Sequence, residues 1–250
     1  MKEIILEKLL QLQQSENIKI LYACESGSRA WGFASPDSDF DVRFIYARPL
    51  NDYLGITEPP DNVGLPVNEV LDIAGWDIKK ALKLFLKSNS TLYEWLQSPI
   101  VYRQAQDFAD ELRKLMPDYY SLRPGANHYL SMAHNTQRDD LQGEQVKLKR
   151  YFYALRPALA CKWIIERKTV PPMEFGKLRA IIDDGEIQNA IDVLLEQKKV
   201  ADEKGLTLPV PLLDNWLSKT LEWAKEQIPL LPNEKRYTYE LNELFRKHIR

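Results

Sequence analysis

Short β-type runs and amphipathic helical stretches alternate along the first hundred residues. Apolar residues recur at helical intervals over residues 2–14, and a β-rich apolar run follows over residues 18–24. Apolar and polar residues then alternate from Asp39 to Phe44, a second strand is predicted from about Asp39 to Ala47, and a third strand is predicted over residues 68–76. Asp77 is a typical N-cap for the helix that follows, whose apolar residues keep the i, i+3, i+4, i+7 spacing. This order of elements predicts a small α/β domain built on a sheet.

After about residue 100 the apolar residues follow helical periods only, interrupted by proline and glycine. The predicted helices are Tyr102–Leu115, Ala126–Asp139, Gln142–Arg167, Glu174–Ile182, Gly185–Glu203, Pro211–Gln227 and Tyr237–His248. Between the second and third strands, residues 49–66 contain four prolines and are predicted to be irregular, with a short helix near residues 52–54. The change of pattern predicts two domains, an α/β domain over residues 1–100 and a helical domain over residues 101–250.

The composition is that of an ordinary globular chain and argues against several classes of protein. Charged residues make up 28% of the chain and apolar residues 44%, and 36 acids against 34 bases give no overall basic field for nucleic acid. Cys24 and Cys161 lie far apart in apolar segments, which indicates buried free thiols rather than a disulfide framework. No zinc-ligand spacing is present, and no apolar run approaches ~18 residues. The N-terminal stretch is charged and unlike a signal peptide, so a cytoplasmic protein without a membrane partner is predicted.

The candidate chemistry lies in the stretch from Gly27 to Arg43. Alternate side chains of a strand share a face, so Asp39, Asp41 and Arg43 are predicted to point one way and the apolar residues between them into the core. Two carboxylates on one face repel each other unless a cation lies between them, and Mg²⁺ prefers carboxylate oxygen. The turn at Gly27-Ser28 allows backbone amides to approach phosphate oxygens, with the Ser28 hydroxyl as a further donor. Together these residues predict a site for a metal-bound nucleoside triphosphate.

This stretch resembles a known family. Gly27-Ser28, followed by Asp39-Phe40-Asp41-Val42, resembles the signature of the DNA polymerase beta nucleotidyltransferase superfamily. The longer strings 27–32 and 36–43 are similar to a narrower branch, the predicted nucleotidyltransferases associated with bacterial RNA repair, and the likeness extends to about residue 100. Ser26 departs from the pattern, because the superfamily often ends the preceding strand with an apolar residue. The resemblance implies a polymerase-beta-like catalytic domain with a small mixed sheet, α/β (α+β) in class, followed by an all-helical domain that closes the active-site cleft.

The resemblance also implies a third carboxylate, which arrives on a neighbouring strand between apolar residues. Asp72, within Leu71-Asp72-Ile73, fits that setting. Glu69 is the alternative, but it lies three residues away and is therefore predicted to face the opposite side of the strand. Asp39 and Asp41 are then expected to hold two Mg²⁺ ions, with Mn²⁺ as an alternative. Asp72 is expected to ligate one of these ions and to help remove the proton of the attacking hydroxyl.

A second constellation falls within the predicted helix, at residues 147–160. Lys149, Tyr153 and Arg156 share a helix face, where a cation and an aromatic ring are suited to a triphosphate and a base. The string resembles the helical-domain motif of the same branch. Related nucleotidyltransferases place a helical-domain lysine on the triphosphate, and the match in position assigns that role to Lys149. Tyr153 is assigned to nucleotide binding from geometry alone, and the alternatives are a solvated basic face and core aromatic residues.

The predicted function is transfer of a nucleoside monophosphate from an NTP to an acceptor hydroxyl, with release of pyrophosphate. The resemblance points to an RNA end as the acceptor, while a small molecule and a protein hydroxyl stay open. Arg29 is a candidate nucleotide ligand, the alternative being a surface cation. Arg43 is expected either to orient a carboxylate or to form a structural ion pair. The alternative function is a non-catalytic, nucleotide-binding regulatory or antitoxin-like module of the same fold.

Overall fold

The computed structural model describes residues 1–68, 70–105, 107–232 and 237–250, and these residues divide into two compact units. Among the described residues, the first unit holds 1–30, 39–120 and 237–250, and the second unit holds 31–38 and 121–232. Compared with the predicted boundary at residue 100, the first unit also includes residues 101–120 and the C-terminal helix. The second unit also includes the short connection at residues 31–38.

A mixed sheet forms the centre of the first unit. The strands of the described residues are β1 (Lys19–Ser26), β2 (Phe40–Ala47), β3 (Asn62–Gly64), β4 (Leu71–Asp77), β5 (Val101–Gln104), β6 (Val146–Lys147) and β7 (Leu206–Thr207). The first five pair in the order β3-β4-β2-β1-β5, while β6 and β7 form a small separate pair. β2 and β4 run parallel and the other neighbours in the five-stranded sheet run antiparallel. The predicted α/β class with a small mixed sheet is confirmed.

Helices account for most of the remaining chain. The α-helices of the described residues are α1 (Lys2–Ser15), α2 (Gly27–Trp31), α3 (Leu50–Tyr53), α4 (Ile78–Leu86), α5 (Ser90–Leu96), α6 (Phe108–Tyr119), α7 (Leu122–Asp140), α8 (Leu148–Arg167), α9 (Phe175–Arg179), α10 (Gly185–Val200), α11 (Pro211–Gln227) and α12 (Tyr239–His248). A 3₁₀ turn at Ile228–Leu230 follows α11. None of the helices in the described ranges combines the length and the apolar character that crossing a bilayer requires.

Several of the predicted elements differ from the structure. The helix predicted over residues 142–167 begins only at Leu148, because Val146–Lys147 forms β6 and pairs with β7. The helix predicted over residues 102–115 is wrong at its start, because residues 101–104 form β5, which pairs with β1, and the helix begins at Phe108. The irregular segment predicted over residues 49–66 contains β3, which pairs with β4. These strands are four residues long or shorter. Runs of this length carry little periodic signal of their own, and only their pairing partners define them as strands.

The hydrophobic core of the first unit covers one face of the sheet. Ile5 and Leu9 of α1 belong to the same buried cluster as Val42 and Phe44 of β2. Asp41 and Arg43, which alternate with these residues, are only partly buried. Burying an apolar side chain of this size stabilises a fold by about 1.5–3 kcal/mol. The predicted alternation holds from Asp41 to Phe44 and turns Asp41 away from the core, whereas Ile45, Tyr46 and Ala47 are all buried.

An aromatic cluster lies inside the second unit. Phe33 stacks on Phe152 with ring centroids 5.0 Å apart, and Phe175 packs edge-on against both rings. Trp31 contacts Phe33 and meets the ring of Tyr153 edge-on, with both centroid distances at 5.7 Å. Aromatic pairs in these geometries contribute about 0.5–1.5 kcal/mol beyond the area they bury. These contacts join Trp31 and Phe33 to the helices of the second unit, which holds residues 31–38.

Gly75 provides a test of how tightly the sheet packs. It is the β4 register partner of Phe44, and a Cβ atom at Gly75 would lie 2.2 Å from the ring carbon Cε2 of Phe44. Gly75→Ala is expected to lower the free energy of unfolding by about 1–3 kcal/mol, because it overpacks a fully buried contact. Thermal unfolding followed by circular dichroism measures the change as a lower Tm.

Gly176→Ala in α9 is the matched control. No atom lies within 4 Å of the added methyl group, and alanine favours the helix. Its Tm should equal or exceed that of the wild type. Equal Tm values for the two variants would contradict the packing described for Gly75 and Phe44.

Candidate functional site

Two of the predicted acids lie next to each other on neighbouring strands. Asp41 of β2 is the register partner of Asp72 of β4 in the parallel pair. Directly paired residues point to the same side of a sheet, so the two carboxylates lie side by side. Both side chains are partly exposed, 24% for Asp41 and 23% for Asp72. The pair is therefore accessible to a solvent-borne ligand.

One guanidinium group holds the two carboxylates together. Nη2 of Arg43 lies 3.0 Å from Oδ1 of Asp41 and 2.6 Å from Oδ2 of Asp72. Nη1 of the same side chain donates to the backbone carbonyls of Val42 and Asp72, at 3.1 and 3.0 Å. Charge-assisted hydrogen bonds of this kind are stronger than neutral ones. Arg43 therefore forms an ion pair with each acid and also orients both carboxylates. From the sequence, these two roles are alternatives.

Gly27 lies directly against the carboxylate of Asp41. A Cβ atom at Gly27 would be 2.0 Å from Oδ2 of Asp41, and the residue has φ of +65°. Only glycine therefore fits beside this carboxylate, which links the glycine of the motif to its second acid. Gly27 and Ser28 are buried and begin the short helix α2, where the sequence predicted a turn. The role of Ser28 as a phosphate donor stays a prediction.

Asp39 precedes β2 by one residue. Its backbone carbonyl accepts a hydrogen bond from Nε of Arg29 at 3.0 Å, and the Arg29 guanidinium lies 3.9 Å from the ring centroid of Phe40. These contacts anchor the chain where it enters β2. The predicted metal role of Asp39 and the predicted nucleotide role of Arg29 stay predictions. The alternative acid, Glu69, lies outside the described residues.

Lys149 and Tyr153 belong to the second unit, where both have protein partners. Nζ of Lys149 lies 3.0 Å from Oε2 of Glu203, and Oε1 of Glu203 accepts a hydrogen bond of 2.6 Å from the Ser38 hydroxyl. Burial tends to raise the pKa of Glu203, but the hydrogen bonds from Ser38 and Lys149 hold it below its usual value. The ring of Tyr153 packs against Trp31. Their assignment to nucleotide binding stays a prediction.

Glu25, which the sequence-based interpretation overlooked, is fully buried near the end of β1. Its Oε1 accepts a hydrogen bond of 2.7 Å from the backbone amide of Asp41, and its Oε2 accepts one from the hydroxyl of Tyr102. Burial raises the pKa of the Glu25 carboxyl, while these two hydrogen bonds oppose the change. In the sequence, Glu25 could have been recognised as an acid at the end of an apolar run. An acid in such a run is expected to be buried, and a buried acid nearly always has a specific partner.

The arrangement limits the chemistry that is available. Within the part of the chain that the structure describes, no three His, Cys, Asp or Glu side chains are grouped as ligands of one metal ion. Asp41 and Asp72 form a pair, and Arg43 supplies the positive charge between them. Such a pair provides oxygen ligands for a hard cation and a proton acceptor for a nearby hydroxyl.

Known proteins provide an independent comparison. The Bacillus subtilis (strain 168) protein with the name "Uncharacterized protein YcgL" is 42% identical over 246 residues, which cover 98% of this chain and 95% of that protein. A crystal structure of a nucleotidyltransferase-like protein from Exiguobacterium sibiricum 255-15 aligns with 96% of this chain and 80% of that chain at 11% identity. The TM-score of this alignment is 0.29.

A family model covers nearly the whole chain. The model of the RNA repair pathway DNA polymerase beta family (RlaP) matches residues 1–247. This match confirms the resemblance drawn from Gly27-Ser28 and the two acids that follow. The protein is therefore a member of the RNA repair pathway DNA polymerase beta family.

Proposed function

We propose that this protein transfers a nucleoside monophosphate from an NTP to an acceptor hydroxyl and releases pyrophosphate. The observation that carries the proposal is the convergence of Asp41 and Asp72 on one positive group, Nη2 of Arg43. Two adjacent, partly exposed carboxylates are suited to a divalent cation carrying a triphosphate, and the guanidinium now occupies the place where such a positive charge would lie. The absence of a side chain at Gly27 leaves the room that the Asp41 carboxylate needs.

The donor atoms fit a hard divalent cation, Mg²⁺ or Mn²⁺. Asp41 and Asp72 offer carboxylate oxygens that converge and are partly exposed. Asp39, which the described part of the structure does not group with this pair, is proposed as the further ligand. A cation bound there would neutralise phosphate oxygens and make the acceptor hydroxyl a better nucleophile. Arg43 must then share or release the two acids, because its Nη2 is within hydrogen-bonding distance of both.

The side chains of the protein have separate roles in this proposal. Asp72 accepts the proton of the acceptor hydroxyl, whose oxygen attacks the α-phosphorus while the bond to pyrophosphate breaks. Arg29 and Lys149 are the proposed cations for the phosphate oxygens, and Ser28 is the proposed hydroxyl donor. Tyr153 is the proposed stacking partner of the base, a contact typically worth about 1–3 kcal/mol.

An RNA end is the proposed acceptor. The description of the family refers to an RNA repair pathway, and an RNA end offers the hydroxyl that the reaction needs. With 36 acids against 34 bases, the chain has no broad basic field, so binding of RNA must depend on local contacts. A small molecule or a protein hydroxyl is the alternative that an experiment has to separate from RNA.

The first prediction from the proposed function concerns Asp41→Asn, measured with NTPs carrying a radiolabelled α-phosphate, Mg²⁺ and RNA. The variant is expected to lose label transfer by about 10²–10³-fold or more, because it removes a preorganised charge on which the reaction depends. Asp52→Asn makes the same chemical change at an exposed position of α3 and should keep wild-type transfer. Full Mg²⁺-dependent transfer by Asp41→Asn would contradict the proposed site.

The same assay identifies the acceptor. When labelled cell extract is digested, loss of label with nuclease and not with protease is expected. Loss of label with protease alone would identify a protein hydroxyl as the acceptor instead of RNA. Label that survives both digestions in a low-mass product would identify a small molecule as the acceptor. If Mg·NTP raises the Tm of the wild type but no label is transferred to any acceptor, the non-catalytic binding module is the better description.

The second prediction concerns Arg43→Gln without added cation. Removal of the guanidinium leaves two neighbouring carboxylates without their positive partner and is expected to destabilise the protein by about 1–3 kcal/mol. Mg²⁺ should then raise the Tm of this variant by more than it raises the Tm of the wild type, since the cation replaces the missing charge. Thermal unfolding with and without MgCl₂ measures both effects.

Arg43→Lys is the conservative control for the second prediction. It keeps the charge but not the forked donor geometry, so its Tm and its response to Mg²⁺ should lie between those of the wild type and Arg43→Gln. An equal response to Mg²⁺ in all three proteins would mean that the cation does not bind where Arg43 holds Asp41 and Asp72.

A further inference from the structure

A buried carboxylate lies directly behind Asp41. Glu25 of β1 is the register partner of Val42, which belongs to the core on one face of the sheet, while the Asp41 side chain points to the other face. The carboxylate of Glu25 nevertheless reaches the backbone of Asp41, with 2.7 Å between Oε1 and the amide nitrogen. Glu25 is thus joined to the proposed site through the main chain of Asp41.

Tyr102 of β5 provides the second partner of this carboxylate. Its hydroxyl donates to Oε2 of Glu25, and β5 pairs with β1 in the sheet. Both oxygens of Glu25 therefore have fixed donors. A carboxylate with 0% exposure needs such donors, because an unpaired charge in the interior is strongly destabilising.

A glutamine at position 25 would satisfy the same two neighbours. Its carbonyl oxygen would accept from the Asp41 amide and its amino group would donate to the Tyr102 oxygen, without the cost of burying a carboxylate. Packing and hydrogen bonding alone therefore do not explain why residue 25 is a glutamate rather than a glutamine. The feature that only glutamate adds is a negative charge, carried by a carboxylate whose Oε1 lies 2.7 Å from the amide nitrogen of Asp41.

We infer that Glu25, held by Tyr102, is a positioning residue for the Asp41–Asp72 site that fixes the Asp41 backbone and increases the affinity of the site for a divalent cation. The inference rests on the proposed function, since it assumes that the pair binds such a cation. Groups that support a metal ligand from behind orient the ligand and tune its affinity. A charge in the interior also acts more strongly than one at the surface, because water screens it less.

The test is a Mn²⁺ titration of the full-length protein, followed by electron paramagnetic resonance of the free ion and performed without NTP. Glu25→Gln is expected to raise the dissociation constant for Mn²⁺ by about tenfold or more. Its Tm without cation should match or exceed that of the wild type, because the hydrogen bonds are kept and the buried charge is removed. Tyr102→Phe keeps the Glu25 charge but loses one donor, so a smaller rise in the dissociation constant is expected.

Ser98→Ala is the matched control, because Ser98 is another hydrogen-bond partner of Glu25. The Ser98 hydroxyl donates to the backbone carbonyl of Glu25 at 2.6 Å and does not contact its carboxylate. This variant should lose stability while its dissociation constant for Mn²⁺ stays that of the wild type. The two variants thus separate a loss of structure from a loss of the positioning charge.

The inference is overturned if Glu25→Gln binds Mn²⁺ as tightly as the wild type does. Should that variant fail to fold, an unchanged dissociation constant in Tyr102→Phe overturns it instead. A wild type that binds no Mn²⁺ overturns both the inference and the cation site of the proposed function. Wild-type Mn²⁺ binding that weakens in Glu25→Gln, combined with no transfer of nucleotide in the labelling assay, would support the role of Glu25 and overturn only the transfer reaction.

Discussion

The carboxylates of Asp41 and Asp72 share one face of the sheet, and a positive charge lies between them. Parallel pairing of β2 with β4 makes the two acids direct neighbours, and such a pair is repulsive without compensation. The Arg43 guanidinium compensates both, at 3.0 and 2.6 Å, from the same strand as Asp41. Gly27 lies next to the carboxylate of Asp41, which has space there only because glycine has no Cβ atom.

The local parts of this arrangement were predictable from the sequence. Val42 and Phe44 are buried while Asp41 and Arg43 are not, since a period of two is a property of the strand itself. The N-cap of α4 is equally local, because the Asp77 side chain accepts from the Lys79 amide two residues away, at 2.7 Å. Features that depend on neighbours within a few residues leave a pattern in the sequence.

The parts that were missed depend on partners far along the chain. Glu25 meets Asp41 16 residues later and Tyr102 77 residues later, and no local pattern contains either partner. The strand that carries Tyr102 was predicted as the start of a helix, since only pairing with β1 defines it as a strand. Arg43 lies close to Asp41 in sequence, but its contact with Asp72 depends on the register between β2 and β4.

The partners of each acid show whether its carboxylate is fixed in the fold or can exchange its cationic partner for another cation. Asp77 is buried and accepts from the Lys79 amide and the Tyr53 hydroxyl, and Glu25 likewise accepts from neutral donors, one of them a backbone amide. A backbone donor cannot leave without local unfolding, so these acids are fixed. Asp41 and Asp72 instead share one cationic side chain and stay partly exposed. A side chain can move aside for another cation without leaving a buried carboxylate unpaired, and this difference is the physical reason for placing the proposed cation at that pair.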